Sequence, residues 1–366
     1  MRYCVYDIVP RQTLFLFLLV LSLLCTRTAF AGTAAGTAPP ALSSLAGPTV
    51  RVYFENDLFY NEDREYTNAV QLRVISPDLR TVAENGFLPE GLSRLLETVP
   101  FPGSRSAIMY SVSAGFGQHI YTPRDTQSRD LQADDRPYAG YLYGMLALHA
   151  KRASRLDTLE LTAGIIGPSS LAEQAQNEVH RFRSIDTAKG WQHQLRDEPA
   201  AMLTWSRVWR LNDDETSHGW GWDVLPQVNF SLGTPYTRAG IGAELRFGWN
   251  LPPDYGSSTI RPGSGITRPL TTRPLRAGQR FLDNLSIYAF AGADGYAVAW
   301  NSFLDGNIWK NSHRVDKKPL TGALNWGLVV GLYDFQVSYT RVHRGMEYFG
   351  QSGKHDYGSI TLSYKF

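Results

Sequence analysis

The sequence predicts an all-β fold, a transmembrane antiparallel β-barrel of about twelve strands. Segments of alternating apolar and polar residues recur from residue 49 to the C-terminus, and each is long enough to cross a bilayer as a tilted strand. A secretory signal opens the chain, and no later apolar run has the length of a transmembrane helix. The abundance of Gly (33), Tyr (19), Phe (17) and Trp (9) also favours strands. A soluble periplasmic barrel or sandwich is the alternative.

The N-terminal segment has the layout of a cleavable signal. Two arginines precede an apolar run over residues 13–25, and Ala-Phe-Ala at 29–31 matches the small-x-small pattern of a cleavage site. A membrane-anchor helix is the alternative, but the apolar run is too short to span a bilayer. The predicted organisation is a signal peptide, an N-terminal tail and a barrel, at residues 1–31, 32–48 and 49–366.

Cysteine and charge content narrow the class of protein. Both cysteines, Cys4 and Cys25, lie in the predicted signal, so the mature chain has none; a closed barrel does not need disulfides. Removal of the signal takes away three basic residues and one acidic residue, which leaves 33 of each sign. This balance gives no indication of nucleic-acid binding.

The last predicted strand shows the alternation most clearly. Ile360, Leu362, Tyr364 and Phe366 share one face, and the residues between them are polar. A final strand that ends on Phe resembles the C-terminal signal of bacterial outer-membrane barrels, so the barrel-assembly machinery is an expected partner during biogenesis. The twelve predicted strands cover residues 49–57, 66–76, 106–120, 138–150, 155–166, 200–210, 219–231, 237–249, 284–299, 320–332, 335–345 and 357–366.

Antiparallel strands send alternate connections to opposite ends of a barrel. With the N-terminus in the periplasm, the outward connections are 58–65, 122–137, 167–199, 232–236, 300–319 and 346–356. The periplasmic ones are 77–105, 151–154, 211–218, 250–283 and 333–334. One outward connection contains a predicted helix over 168–182, capped by Ser170 with Glu173.

Polar residues suited to hydrolysis collect in these outward connections and at the adjoining strand ends. Asn56 and Asp57 close the first strand, Thr67 opens the second, and His180 and Asp186 lie in the fifth-strand connection. Strand alternation predicts that Asp57 and Thr67 face the lumen and Asn56 faces outward. The parity of the connections brings all five to one membrane surface, which predicts a site at the outer rim.

Seven short motifs resemble the signature blocks of the LpxR family of outer-membrane lipid A 3′-O-deacylases, in the family's order. They are ENDLF (55–59), YTN (66–68), IYTP (120–123), DRPYAG (135–140), GIIGPSS (164–170), QNEVH (176–180) and GWQHQL (190–195). The resemblance implies a twelve-stranded barrel in the bacterial outer membrane, with an active site that faces outward. It implies lipid A, and hence lipopolysaccharide, as the substrate and calcium as the usual divalent cation.

The same resemblance implies the site residues. Asn56 and Asp57 match the metal positions, and Thr67, His180 and Asp186 match the catalytic positions. Two departures stand out: the family pattern has Glu where Asp186 stands, and it has a Lys-Arg pair where Ser128-Arg129 stands.

Ester hydrolysis gives these residues chemical roles. The His180 imidazole can take a proton from water, and the Asp186 carboxylate could orient the ring. A hard cation on the oxygens of Asn56, Asp57 and Thr67 would stabilise the developing oxyanion. The sequence contains neither a G-x-S-x-G elbow nor an H-E-x-x-H motif. We therefore expect a His-activated water rather than an acyl-enzyme on serine.

Arg124 and Arg129 are the predicted substrate-binding residues, because an outer rim faces phosphorylated lipid. Each candidate also has an ordinary alternative: Asn56 and Asp57 as turn residues, Thr67 as a strand residue, and His180 and the arginines as solvated side chains. Two further functions stay open, an outer-membrane phospholipase with the same rim and a non-enzymatic pore or adhesion barrel.

Overall fold

The computed structural model describes residues 47–56, 65–86, 88–101, 108–212, 219–256 and 281–366, without the side chains of residues 65–67 and 281. In these residues twelve antiparallel strands form a closed barrel, in which β1 pairs with both β2 and β12. The predicted fold class is confirmed, and the strand bounds differ from the predicted ones by at most three residues. The predicted signal peptide lies outside the described residues. No helix among the described residues is long and apolar enough to span a membrane.

The strands follow each other in the order of the chain: β1 Thr49–Asn56, β2 Glu65–Ile75, β3 Met109–Thr122, β4 Ala139–Lys151, β5 Arg155–Ile166, β6 Glu198–Trp209, β7 Trp220–Gly233, β8 Tyr236–Trp249, β9 Leu285–Asn301, β10 Leu320–Leu332, β11 Phe335–Arg344 and β12 His355–Lys365. The helices are α1 Glu90–Glu97, α2 Ala172–Phe182 and α3 Ser302–Asp305.

Alternation along each strand separates the interior of the barrel from its exterior. In β2, Ala69, Gln71 and Arg73 are buried inside, while Val70 and Val74 are exposed on the outside. Side chains of a strand point to opposite faces in turn, so the pattern in the sequence decides which face meets lipid.

The interior is filled with side chains rather than open. The Arg73 guanidinium donates to the Glu160 carboxylate at 2.7 Å, and the Tyr121 and Tyr236 hydroxyls are 2.7 Å apart, which joins β3 to β8 across the barrel. A buried apolar cluster includes Tyr53, Tyr141 and Phe303. Interior side chains can fill a barrel of small strand number in this way.

The two ends of the barrel differ in what they carry. The end at which Thr49 pairs with Lys365 holds both termini of the barrel, and we call it the terminal end. The opposite end, where β1 stops at Asn56 and β4 begins at Ala139, is the loop end.

At each end one connection folds back onto the exterior wall of β3 and β4. The terminal-end segment (residues 77–101) contains α1, and its Val82 packs on the exterior residues Val112 and Leu148. The loop-end segment (residues 167–197) contains α2.

The start of α2 differs from the prediction. The helix begins at Ala172 after a 3-10 turn at Pro168–Ser170, and Leu171 occupies the N-cap with a φ of 59°. Ser170 does not cap the helix, because its hydroxyl donates to the Gly167 carbonyl at 2.6 Å. The predicted capping box is therefore wrong: a tight turn after β5 uses the serine before the helix starts.

Candidate active site at the loop end

Four residues in a row across neighbouring strands mark the site. Register pairs Asn56 with Asn68, Asn68 with Ile120, and Ile120 with Gly140. All four occupy exterior positions of the alternation, yet Asn56, Asn68 and Ile120 are only 4%, 8% and 3% exposed. Phe116, further along the same exterior face, is 57% exposed. The wall is therefore covered from outside at the loop end.

The loop-end segment provides this cover over β3 and β4. A Cβ atom on Gly140 would lie 2.0 Å from the Ser170 hydroxyl oxygen and 2.3 Å from the Ala172 Cβ, so only glycine permits the close approach. The Gln118 side-chain amide donates to the Ser170 carbonyl at 2.6 Å. Ile120 packs with Ala172 in one buried cluster.

One face of α2 is turned to the wall. Ala172, Gln176 and His180 are its buried residues and recur every four positions, which places them on one side of a helix. The Trp191 indole N–H donates to the Gln176 side-chain oxygen at 2.9 Å, so the later part of the segment, a 3-10 turn at Trp191–His193, fixes this face. The face that carries His180 is thus set by contacts on both sides.

His180 is 1% exposed, and its Nδ1 lies 2.7 Å from the backbone carbonyl oxygen of Asp186. A carbonyl oxygen only accepts hydrogen bonds, so Nδ1 carries the proton. The neutral ring then has its lone pair on Nε2, which is the form required of a general base.

Asp186 contributes to this contact through its backbone, and its side chain is exposed. The prediction that the Asp186 carboxylate orients the ring is corrected in this respect: the carbonyl does so. The turn after α2 brings the Asp186 carbonyl to the imidazole, while the carboxylate of the same residue is exposed. A catalytic role for Asp186 stays a prediction.

The length of α2 is similar to the width of the wall between β4 and β1. Ala172 lies over Gly140 on β4, and the eight residues from Ala172 to His180 extend roughly 12 Å along a helix. Three strand spacings of about 4.8 Å, roughly 14 Å in all, separate β4 from β1. The span of the helix is thus similar to the distance from Gly140 to β1, and its main strand contacts are with β3 and β4.

The predicted metal residues are described only in part. Asn56 ends β1 and has the outward position that alternation predicts. Asp57 lies outside the described residues, and the Thr67 side chain is not described, so their predicted lumen orientation stays untested. Thr67 itself falls where the pairing of β2 with β3 shifts, between Tyr66 and Asn68. The described residues contain no group of three or more His, Cys, Asp or Glu side chains placed to hold a metal.

The two predicted substrate-binding arginines are both exposed, but they lie against different parts of the loop end. The Arg129 carbonyl accepts from the Gln192 side-chain amide at 2.5 Å and lies 3.1 Å from His193 Nε2, so Arg129 borders the loop-end segment. The Arg124 guanidinium donates to the Ser352 hydroxyl, in the β11–β12 connection. Arg129 is thus the one beside the segment that carries His180.

Three residues of the site were not among the predicted ones: Asn68, Gly140 and Trp191. Each stands inside a family block, YTN, DRPYAG and GWQHQL respectively. Their roles depend on the cover over the exterior wall, which strand alternation does not reveal.

Comparisons with known proteins agree with this architecture. The family model described as outer membrane protein LpxR matches residues 15–366. LpxR from Salmonella typhimurium matches in structure with a TM-score of 0.67 and 16% sequence identity, over 87% of this chain and 100% of that chain. The beta domain of the Bordetella autotransporter Brka matches with a TM-score of 0.41 and 11% identity, over 88% and 99%. No curated protein matches the sequence. The chain belongs to the LpxR family of outer-membrane proteins.

Proposed function

We propose that this protein is an esterase that removes the 3′-linked acyloxyacyl group from lipid A at the outer surface of the outer membrane. The observation that carries the proposal is the buried His180, on a helix that lies against the exterior wall at the loop end. A membrane lipid reaches the exterior of a barrel by lateral diffusion, whereas the filled interior offers it no path. The position of His180 therefore suits a lipid substrate.

In the proposed reaction, His180 Nε2 takes a proton from a water molecule as the oxygen of that water attacks the ester carbonyl. The imidazolium then delivers the proton to the departing 3′ oxygen of the sugar. The products are a free acyloxyacyl acid and a lipid A with a 3′ hydroxyl. The Asp186 carbonyl, which accepts from Nδ1–H, keeps the ring in the reactive tautomer throughout.

A divalent cation, calcium in our proposal, would be held by Asn56 and Asp57, and Thr67 could add its hydroxyl oxygen. Support for this comes from the donor set: the Asn56 side chain is buried at the end of β1 and pairs in register with the buried Asn68, and hard cations prefer such oxygen ligands. When bound, the cation supplies polarisation of the ester carbonyl and stabilisation of the oxyanion.

Arg129 is the proposed partner of a lipid A phosphate, because its backbone is fixed beside the loop-end segment while its side chain is exposed. The departure from the family's Lys-Arg pair leaves it with Ser128 as its neighbour.

The alternatives make different demands on the structure. A pore requires an open lumen, and the Tyr121–Tyr236 contact together with the buried cluster around Phe303 works against one. A phospholipase would use the same exterior wall, so only its products distinguish it.

The test is mass spectrometry of lipid A from cells with and without the protein. We expect loss of the mass of one 3′ acyloxyacyl group with the wild-type protein and no loss with His180→Ala. Unchanged lipid A together with released lysophospholipid would instead identify a phospholipase.

A further inference from the structure

The connection between β9 and β10 crosses the loop-end mouth of the barrel. Its Asn307 side chain accepts from the Arg196 backbone N–H at 2.9 Å and donates to the Arg196 carbonyl at 2.8 Å. His313 Nε2 lies 2.7 Å from the Asp135 carbonyl oxygen. The connection is therefore fixed to both the β5–β6 and the β3–β4 connections, far from its own strands in the sheet order.

The tip of this connection holds apolar side chains in exposed positions. The backbone N–H groups of Ile308 and Trp309 donate to the two oxygens of the buried Glu198 carboxylate, at 3.0 and 3.1 Å. The side chains of Ile308 and Trp309 are nevertheless 42% and 64% exposed. A backbone fixed by a buried carboxylate presents these two side chains at little further cost in conformational entropy on binding.

Leu171 adds a third exposed apolar side chain next to them. Asp197 joins the two places: its carboxylate accepts from the backbone N–H and the hydroxyl of Ser169, and its carbonyl accepts from the Lys310 ammonium. Leu171 is 54% exposed and has a left-handed φ of 59°, a strained backbone for a leucine. We call Leu171, Ile308, Trp309 and Lys310 the loop-end patch.

The chemistry of α2 indicates where this patch stands relative to the bilayer. Three of the four exposed residues of α2 are polar, Gln174, Glu178 and Arg181, and the fourth, Phe182, is at its C-terminal end. The exterior wall further from the loop end exposes Phe116 and Leu161. The boundary between hydrocarbon and headgroups thus lies at the level of α2. Register pairs Tyr141 with Ile166 and Ile166 with Glu198, so the buried carboxylate is at the loop end of the wall, two strands from β4.

We propose that the loop-end patch inserts into the outer leaflet and holds the mouth connection and the start of α2 at the headgroup boundary, with lipopolysaccharide as the lipid that covers it. Tryptophan is suited to this boundary because its ring is amphipathic, and the Lys310 ammonium carries the charge that attracts lipid phosphates. The patch is continuous with the lipid-facing exterior through Leu171, which leads directly into α2. It goes beyond the hydrolytic site, which lies at the other end of that helix.

Depth measurement with spin labels tests the insertion directly. Single cysteines replace Trp309, Leu161 or Lys354 in the mature chain, and the labelled proteins are reconstituted in vesicles of lipopolysaccharide and phosphatidylethanolamine. We expect a label at 309 to favour oxygen over a water-soluble nickel complex, as a label at 161 does. A label at 309 that is as accessible to nickel as one at 354 would overturn the proposal.

A second measurement links the patch to catalysis and rests on the proposed deacylase function. The variant Ile308→Ser with Trp309→Ser is expected to lower deacylation of vesicle-embedded lipopolysaccharide about tenfold or more, with the rate on detergent-dispersed lipopolysaccharide unchanged. Leu211→Ser, an equally exposed apolar side chain in the β6–β7 connection at the terminal end, is the matched control and should change neither rate. An equal loss on both substrates would argue against membrane insertion.

The two measurements can reject the proposed function and the proposed insertion independently of each other. If the wild-type protein deacylates nothing, the proposed function fails while the spin-label depth still decides the insertion. Insertion only in vesicles that lack lipopolysaccharide would overturn the assignment of the lipid.

Discussion

The two connections that fold onto the exterior of the barrel bury different chemistry. At the terminal end, Val82 of residues 77–101 covers Val112 and Leu148 in a cluster of apolar side chains, and the buried Asn85 and Ser93 hydrogen-bond to each other. At the loop end, residues 167–197 cover Ile120 and Gly140, in a row that continues across β2 and β1 to the buried Asn68 and Asn56. Burial of apolar surface stabilises the fold, whereas burial of polar groups costs free energy unless they gain partners. We attribute the first cover to stability and the second to the proposed site.

The largest expected effect comes from His180, the proposed general base. His180→Ala should lower deacylation by about 10²- to 10⁴-fold, because general-base catalysis contributes on that order. The readout is the rate of acid release from lipopolysaccharide, with the heat-modifiable electrophoretic shift as the check for a folded barrel. His343→Ala, a half-exposed histidine on β11, is the control and should keep nearly full activity. Equal losses in both variants would remove His180 from the proposed role.

Removal of the cation should come next. Exhaustive chelation is expected to lower the rate by about a hundredfold or more, since Lewis-acid stabilisation is worth several kcal/mol in the transition state. Titration with calcium should restore the rate, and Asn56→Ala should shift that titration to higher calcium. Full activity after chelation would exclude Asn56 and Asp57 as metal ligands.

The close approach of α2 to the wall can be broken with one methyl group. Gly140→Ala places a Cβ 2.0 Å from the Ser170 oxygen, so the helix must move, and we expect activity to fall about tenfold or more. Gly144→Ala is the matched control on the same face of β4, because the nearest atom to its Cβ would be 3.9 Å away. The comparison of the two rates tests whether the position of the cover matters; similar rates would show that it does not.

A smaller effect is expected at Asp186. Because the backbone carbonyl of this residue holds the His180 ring, Asp186→Ala should lower the rate by less than about tenfold. Steady-state rates of this variant beside His180→Ala measure the difference. A loss as large as that of His180→Ala would return the role to the carboxylate.

The terminal-end cover should affect stability and leave catalysis alone. Leu148→Ala is expected to lower the free energy of unfolding by about 2–5 kcal/mol, with activity per folded molecule unchanged. Leu161→Ala removes the same atoms from an exposed exterior position and should lower it much less. Urea unfolding in detergent compares the two. If the folded Leu148→Ala protein lost activity, the terminal-end cover would contribute to catalysis as well as to stability, contrary to this prediction.

Local patterns were sufficient for the strands but not for the start of α2. The alternation of Val70 and Val74 with Gln71 and Arg73 predicts that the two valines are on the exterior side of β2. In the structure both valines are exposed, and Gln71 and Arg73 are buried. The Ser170–Glu173 spacing also looked like a helix cap, yet the serine bonds to Gly167 in a preceding turn. A serine hydroxyl can bond either to the N-terminus of a helix or to another nearby backbone group. Here the Gly167 carbonyl, just after the end of β5, takes the Ser170 hydroxyl.

The candidate site divides in the same way. The family blocks pointed to His180 and Asn56, because each of these residues lies in a short run of consecutive residues that matches a family motif. They gave no reason to expect that the Asp186 carbonyl, rather than its carboxylate, meets the imidazole, or that Gly140 sets the approach of the helix. Both facts depend on which atoms of two different segments come close together in the folded chain, and a motif does not show this.

Period-two alternation alone determined the barrel, its strand number and the lipid-facing residues of each strand, because a strand inherits its faces from adjacent residues. The tertiary structure decided which exterior residues escape the lipid. Ile120 and Phe116 have the same exterior parity on β3, and the return of residues 167–197 over the wall buries the first and leaves the second exposed. That return depends on contacts between residues far apart in the chain, which no local pattern records.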